Sequence, residues 1–187
     1  MILSVAFAGH ALSAPIFSDN FDASGPPTLN WSGGANWNVT SGTVDLIGNG
    51  FFDFLPGNGL YVDLDGSTSQ AGVLSTTMMF APGSYIVTFS LAGSQRGSSE
   101  TVTVSLGSWS TTIANIPSNQ PFTVHSYVIT TATTGSLSFS NAGNDNVGAL
   151  LDNVSVSFVP EPISLVVFSG LMVSGWVAVR RRKAVTA

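Results

Sequence analysis

From residue 37 to residue 158 the chain is broken repeatedly into short runs of alternating apolar and polar residues, each bounded by Gly, Pro, Asn or Ser. A period of two places successive side chains on opposite faces of an extended strand, so this pattern leaves little room for helices. In SYIVTFSL, Tyr85, Val87, Phe89 and Leu91 share one face, while Ser84, Ile86, Thr88 and Ser90 share the other. Pro82-Gly83 supplies the turn into this run, and Gly66, Gly93, Gly107, Gly135 and Gly143 mark others. WNVTSGTVDLIG, GLYVDLDG, AGVLSTTMMF, ETVTVSLG, FTVHSYVIT, GSLSFSN and GALLDNVSVSFV each read as a strand or a tight strand pair. Many short strands without a helical period predict an all-β antiparallel sandwich or barrel, with one face of each sheet buried.

Charge narrows the function. Only 8% of the 187 residues are charged, against about 25% in a typical soluble protein. Four of the five basic residues are Arg180, Arg181, Arg182 and Lys183, so the stretch from Pro15 to Val159 sets Arg96 alone against nine acids. Nucleic acid is excluded as a partner of this region, because binding it needs clustered cations. The chain has no cysteine, which rules out disulfides, thiolate zinc sites and thiol catalysis.

The two ends read as processing segments. Residues 1–14 carry a short apolar run closing on small residues, as a signal peptide does, though without a basic start; the alternative is a buried first strand. Residues 163–179 carry no charge and are dominated by Val, Leu, Phe, Met and Trp, just enough for a transmembrane helix of about 17 residues or more. The basic tail 180–183 places that end in the cytoplasm and the domain outside. Residues 15–158 form the single domain between them.

Val159-Pro160-Glu161-Pro162, the short apolar span and Arg180-Arg181-Arg182 in this order resemble the PEP-CTERM sorting signal of Gram-negative bacteria. That resemblance implies processing by an exosortase, transient anchoring in the inner membrane, and delivery to the envelope or a biofilm matrix. The prolines suit such a role by keeping the recognition segment extended. Within the domain, Asn20-Phe21-Asp22, Gly59 to Gly66, Pro82-Gly83-Ser84-Tyr85 and Leu151 to Val156 follow an order similar to the galactose-binding-like jelly roll of many carbohydrate-binding modules. The fold so implied is a jelly-roll sandwich; the sorting tail and the Ser/Thr/Asn-rich, charge-poor strands add the expectation that it binds or structures extracellular polysaccharide without catalysis. Fold alone does not fix function, and a polysaccharide hydrolase or a protein adhesion module are the rival readings.

The resemblance also implies a structural Ca²⁺ where first and last strands meet, with Asp19, Asn20, Asp22 and Asp152 as oxygen ligands. The competing reading makes these residues Asx-turn and strand-end groups bonding their own backbone. Asp63 and Asp65 either form a second site or cap the Asp65-Gly66 turn. Sugar recognition needs aromatic platforms with a few directed polar groups. Trp31, Trp37, Trp109, Tyr61 and Tyr127 are the candidates, with Trp109, Tyr61 and Arg96 favoured as ligand-binding and Trp109 expected to be exposed. Arg96 alternatively pairs with Glu100 or an Asp. His125 alternates with apolar neighbours and reads as a strand histidine satisfied by a neighbour, not a triad member. No catalytic residue is assigned.

Overall fold

The computed structural model describes residues 14–143 and 145–159. The sorting residues Pro160, Glu161, Pro162, Arg180, Arg181 and Arg182, the 163–179 helix and most of the leader lie outside the described residues. Among the described residues there are twelve strands and no helix. One sheet runs β10 (Thr123–Thr131), β7 (Gly83–Ala92), β12 (Leu150–Phe158), β5 (Leu60–Asp63), β4 (Val44–Gly48), β2 (Thr28–Trp31), with β1 (Phe17–Asp19) also on β12. The other runs β3 (Trp37–Ser41), β6 (Val73–Thr76), β11 (Leu137–Asn141), β8 (Glu100–Leu106), β9 (Trp109–Ile116). All strand pairs are antiparallel. From β3 onward the chain passes repeatedly between the two sheets, as a jelly-roll sandwich does.

The core lies between the sheets. Tyr85, Val87, Phe89 and Leu91 are buried, as their shared face predicts. Phe89 meets Phe139 of the opposite sheet edge-to-face at 5.1 Å, and Trp37 meets Phe21 at 5.4 Å and Phe139 at 6.2 Å. Trp37 is admitted to the centre because its indole N–H donates to Asp19 Oδ2 at 3.0 Å.

A second apolar cluster covers the outer face of the larger sheet. Ile47, Tyr61, Ala92 and Leu150 point away from the main core, and Phe51, Phe54, Leu55 and Phe122 close over them. This is why β4 and β5 are buried on both faces. The loop from Asn49 to Gly59 that makes this cover is tied down by Tyr61. Its hydroxyl donates to Asp53 Oδ1 at 3.0 Å and accepts the Leu55 N–H at 2.9 Å. Asp53 Oδ2 in turn accepts the Gly50 N–H at 3.0 Å.

β12 is the axis of the larger sheet. Its first residues pair with β5 (Leu150↔Asp63) and its later ones with β1 (Phe17↔Val156), while β7 flanks it throughout. Between these partners the register on β7 shifts from Asp152 to Ser155, and Asn153 takes a positive φ of 51°. Such a bulge re-aims side chains at the point where one partner strand gives way to another.

Candidate functional site

At the end of the sandwich where β12 begins, the Asn49–Gly59 loop leaves a cleft of about 130 Å³ beside the outer face of the larger sheet. Leu29, Phe52 and Phe54 supply its apolar wall, and Asp45, Asp63, Arg96 and Asn146 its polar groups. Phe52 is 53% exposed and held at φ 43°, with its ring edge-on to Phe51 at 4.9 Å. A bulky residue in the left-handed region is a true backbone outlier, and such strain clusters at functional positions.

Opposite Phe52 the polar groups are locked. Asp45 of β4 and Asp63 of β5 stand directly across from each other, both buried. Like charges so placed repel, and each is compensated separately. Asp45 accepts from the Asn30 N–H at 2.6 Å, the Ser67 N–H at 3.2 Å and the Ser67 hydroxyl at 2.8 Å. Asp63 forms an ion pair with Arg96, whose other nitrogen donates to the Asn146 carbonyl at 2.7 Å. The guanidinium also lies 5.0 Å from the Phe54 ring centroid, a cation–π distance. Burial nevertheless raises the Asp63 carboxyl well above the usual range, with Arg96 opposing and Asp45 and Asp65 adding to the rise. Arg96 retains 26% side-chain exposure, so it is an anchored donor whose edge still faces the cleft.

The predicted aromatic platforms fall elsewhere. Tyr61 is fully buried and serves as the loop tie described above, so it presents no face to a ligand. Its hydroxyl pKa is pushed up to about 12, mainly by burial and then, against the amide of Leu55, by Asp53. Trp31 and Trp37 are core. Trp109, expected exposed, is half-buried: the hairpin register sets it opposite Leu106 on the inward face, 5.7 Å from the Tyr127 ring. His125 also departs from expectation. Among the described residues its Nε2 is buried without a hydrogen-bond partner, its ring stacks on Phe89 at 5.5 Å, and burial lowers its pKa.

The four predicted cation ligands gather around the β12 bulge. Asp19 Oδ1 accepts the Phe21 N–H at 2.7 Å, and Oδ2 accepts Asn36 Nδ2 at 2.8 Å besides Trp37. Asp22 takes the Leu60 N–H at 2.9 Å and Asn20 Nδ2 at 2.7 Å. Asp152 is buried and accepts both the backbone and the side-chain N–H of Asn153, at 2.6 and 2.8 Å. Its pKa rises to about 6 through burial, opposed by the Asn153 amide and reinforced by Asp22 and Asp19. Each carboxylate oxygen here therefore already has a protein donor, although lone pairs remain and the mutual repulsion favours a cation. Among the described residues no three acidic or histidine side chains converge into a ready-made metal site.

Asp65 differs from all of these. It is fully buried, and among the described residues neither carboxylate oxygen accepts a hydrogen bond of close geometry, the Asp145 amide being the donor turned towards it. Its N–H donates to Asp63 Oδ1 at 3.1 Å, so Asp63 is the residue that caps this turn. Its pKa rises to about 6, first through burial and next through Asp145, whose amide partly offsets this; Glu100 adds to the rise and Arg96 opposes it.

Sequence reasoning missed Phe52, Asp45 and Asn146. The available signal was GNGFFDFLPGNG, a Phe-rich run that fits no alternation and is bracketed by Gly on both sides. An open groove of about 700 Å³ lined by Ser41, Gly42, Gln70, Ala71 and Asn141–Gly143 is larger than the cleft, but it offers no aromatic and no charged side chain.

No family model matches the chain, and no curated protein matches it. Solved structures are similar. The K3 cleaved adhesin domain of Lys-gingipain from Porphyromonas gingivalis w83 matches over 78% of this chain and all of that domain, at 15% identity and a TM-score of 0.55. A carbohydrate-binding module of Cellvibrio mixtus lichenase 5A, solved with cellotriose, covers 79% of this chain and all of its own, at 15% identity and a TM-score of 0.42. The C-terminal CBM6 of LamC from Zobellia galactanivorans covers 77% of this chain and 93% of its own, at 12% identity and a TM-score of 0.40. The likeness to the adhesin domain shows the fold, an antiparallel β-sandwich, and extends no further.

Proposed function

We propose that this chain is an exported, non-catalytic module whose cleft binds extracellular polysaccharide, or structures it, at the cell envelope. The observation that carries the reading is Phe52: an exposed ring, held in a strained conformation, faces an anchored guanidinium and carboxylates across a small cleft. Apolar stacking against a sugar face plus a few directed hydrogen bonds is the chemistry such a constellation offers. At about 130 Å³ the cleft is below the ~300–1,000 Å³ of sites that engulf a drug-sized ligand. It suits one ring, or a chain end, with the remainder of the polymer lying outside. The outer face of the smaller sheet adds Asn38, Ser75, Ser138, Ser105 and Ser110 in one cross-strand row, exposed at Asn38 and Ser110 and buried at Ser75, a polar face compatible with a hydrated matrix.

The adhesin domain and the carbohydrate-binding modules named above share the sandwich and lend the reading its context. The C-terminal segment from Val159 onward, read as an exosortase substrate with a membrane helix, supplies the address. A structural Ca²⁺ at the β12 bulge, among Asp19, Asn20, Asp22 and Asp152, belongs to the same proposal; it would offset the burial that chiefly raises the Asp152 pKa and the smaller repulsion from Asp22 and Asp19.

Binding of the full chain to a panel of bacterial and plant polysaccharides tests the proposal. Phe52→Ala is expected to lower affinity about tenfold or more, in line with loss of a stacked aromatic, while leaving the melting temperature unchanged. Binding that survives Phe52→Ala and Arg96→Lys would place the ligand elsewhere. Polymer cleavage by the wild type would favour a hydrolase instead.

A further inference from the structure

Among the described residues, one pole of the sandwich carries no charged side chain. Four loops meet there, at residues 32–36, 77–82, 107–108 and 132–136, and none of them contains an acid or a base. They are laced together. The Thr77 N–H donates to the Asn36 carbonyl at 2.9 Å, Phe80 and Gly135 exchange N–H···O bonds at 2.8 and 3.1 Å, and the Ser108 hydroxyl accepts the Ala132 N–H at 2.8 Å. Asp19 reaches the rim through Asn36, but both its oxygens already accept from protein donors. Asp22 and Asp152 lie further back at the β12 bulge, and Asp45, Asp63 and Arg96 at the cleft.

The β6–β7 loop of this pole exposes two large apolar side chains. Met78 is 42% and Met79 59% exposed. The backbone on either side is fixed: Thr76 donates its hydroxyl to the Met78 carbonyl at 2.8 Å, Thr77 donates its own to the Ala35 carbonyl at 3.0 Å, and Phe80 is buried in the core. The Tyr85 hydroxyl donates to the Ala81 carbonyl at 2.8 Å. Ala81 and Pro82 extend the exposed apolar surface. A single exposed apolar residue needs no explanation, whereas an adjacent pair on a pinned loop within an uncharged pole makes a patch. Methionine, unbranched and polarisable, adapts to an irregular apolar partner.

What covers the patch is indicated by where the chain leaves. Val159 bonds Ser84 at this pole, and the uncharged run 163–179 starts four residues on in the sequence, at most about 14 Å of extended chain. Charge points the same way. The stretch from Pro15 to Val159, with nine acids and one arginine, is repelled by an anionic lipid surface mainly within a Debye length, about 8 Å at physiological salt. Asp19, level with Val154, stands about 13 Å back from Phe158 along β12, so this pole can approach lipid with the carboxylates held off. We propose, resting on the reading of residues 163–179 as a membrane segment, that the pole around Met78 and Met79 lies on the surface of a lipid bilayer, with both side chains in the headgroup–acyl boundary and the cleft facing away. Two methionines bind lipid weakly alone; a tether raises their local concentration and makes weak contact sufficient.

For the test, the full chain is reconstituted in phosphatidylcholine vesicles. It has no cysteine, so Met79→Cys and Asn119→Cys each carry a single environment-sensitive fluorophore. Asn119 marks the far pole, exposed in the β9–β10 turn whose Gln120 carbonyl accepts the Gly93 N–H. The label at 79 is expected to shift to the blue and lose most of its quenching by aqueous iodide, while the label at 119 keeps both its spectrum and its quenching. Met78→Glu is expected to restore quenching at 79 with no change in melting temperature, since it puts a charge where lipid lies. Vesicle-bound chain quenched equally at 79 and 119, or protection at 79 that Met78→Glu leaves unchanged, overturns the proposal while leaving the membrane segment in place. Chain that stays out of the vesicles overturns both. Protection that grows with the number of copies per vesicle assigns the pole to a second copy of the chain, and also overturns the proposal.

Discussion

Asp65 and Asp152 each release their proton near pH 6 in the folded chain, about two units above an ordinary aspartate. A carboxyl whose folded pKa is raised binds its proton more tightly in the native state. Its contribution is therefore fully present at low pH and is lost as pH rises through about 6. In chelator, the melting temperature is expected to fall by several degrees between pH 5 and pH 7, and the fall should shrink in Asp65→Asn and Asp152→Asn. His125 acts in the opposite sense, since burial lowers its pKa: its penalty appears as pH drops below about 6.5, where the unfolded imidazole charges. His125→Gln should steepen the fall. The residue types of the acid groups were legible in the sequence, but their partners were not. Whether Arg96 met Asp63 or Glu100 depended on a 33-residue separation closing, and no local pattern encodes that.

For the strands, legibility followed the strength of the alternation. β7, β8, β10, β11 and β12 lie where the period-two runs predict them. β1, β2 and β9 were not anticipated. The first two are three and four residues long, too short to show a period. β9 is an edge strand rich in Ser and Thr, and its signal was the Gly107-Ser108 pair that joins it to β8 as a two-residue hairpin, with Gly107 at φ 58°. The run WNVTSGTVDLIG was legible as two strands, but they belong to opposite sheets. Gly42 makes that crossing at φ 60°, and a Cβ there would fall 2.0 Å from the Ala71 carbonyl oxygen. Gly42→Ala is expected to destabilise by about 2 kcal/mol or more, combining left-handed strain with a backbone clash; denaturant unfolding measures it.

Across the whole molecule, the aromatic centre is the stabilising feature most exposed to mutation. Phe89 touches Phe139, Tyr127 and His125 and so links both sheets to the edge strand β10. Phe89→Ala is expected to cost about 3–5 kcal/mol, read as a lower denaturant midpoint, whereas Val128→Ala, on the 74%-exposed outer side of β10, should change stability by under about 0.5 kcal/mol. The sandwich itself could be read from patterning, because one-face burial is written into strands such as β7, β8 and β11. The cleft could not, because it arises from a loop folding over the outer face of a sheet that antiparallel alternation normally leaves to water.

β12 also sets a polarity. Its last residues lie beside β1 and the start of β7, where Ile16 bonds Val156 and Val159 bonds Ser84; its first residues lie beside Asp63 and the cleft. Chain entry and exit therefore share one pole, with the cleft about 25–30 Å away at the other, the length of a nine-residue strand. A tether at residue 159 and a polymer held at the cleft would pull along β12 from opposite ends. Its hydrogen bonds to β7, β5 and β1 would then resist together in shear. Pulling on residues 16 and 159 instead would peel β1 from β12 one bond at a time, so the domain should bear more load applied between the cleft and residue 159 than between residues 16 and 159.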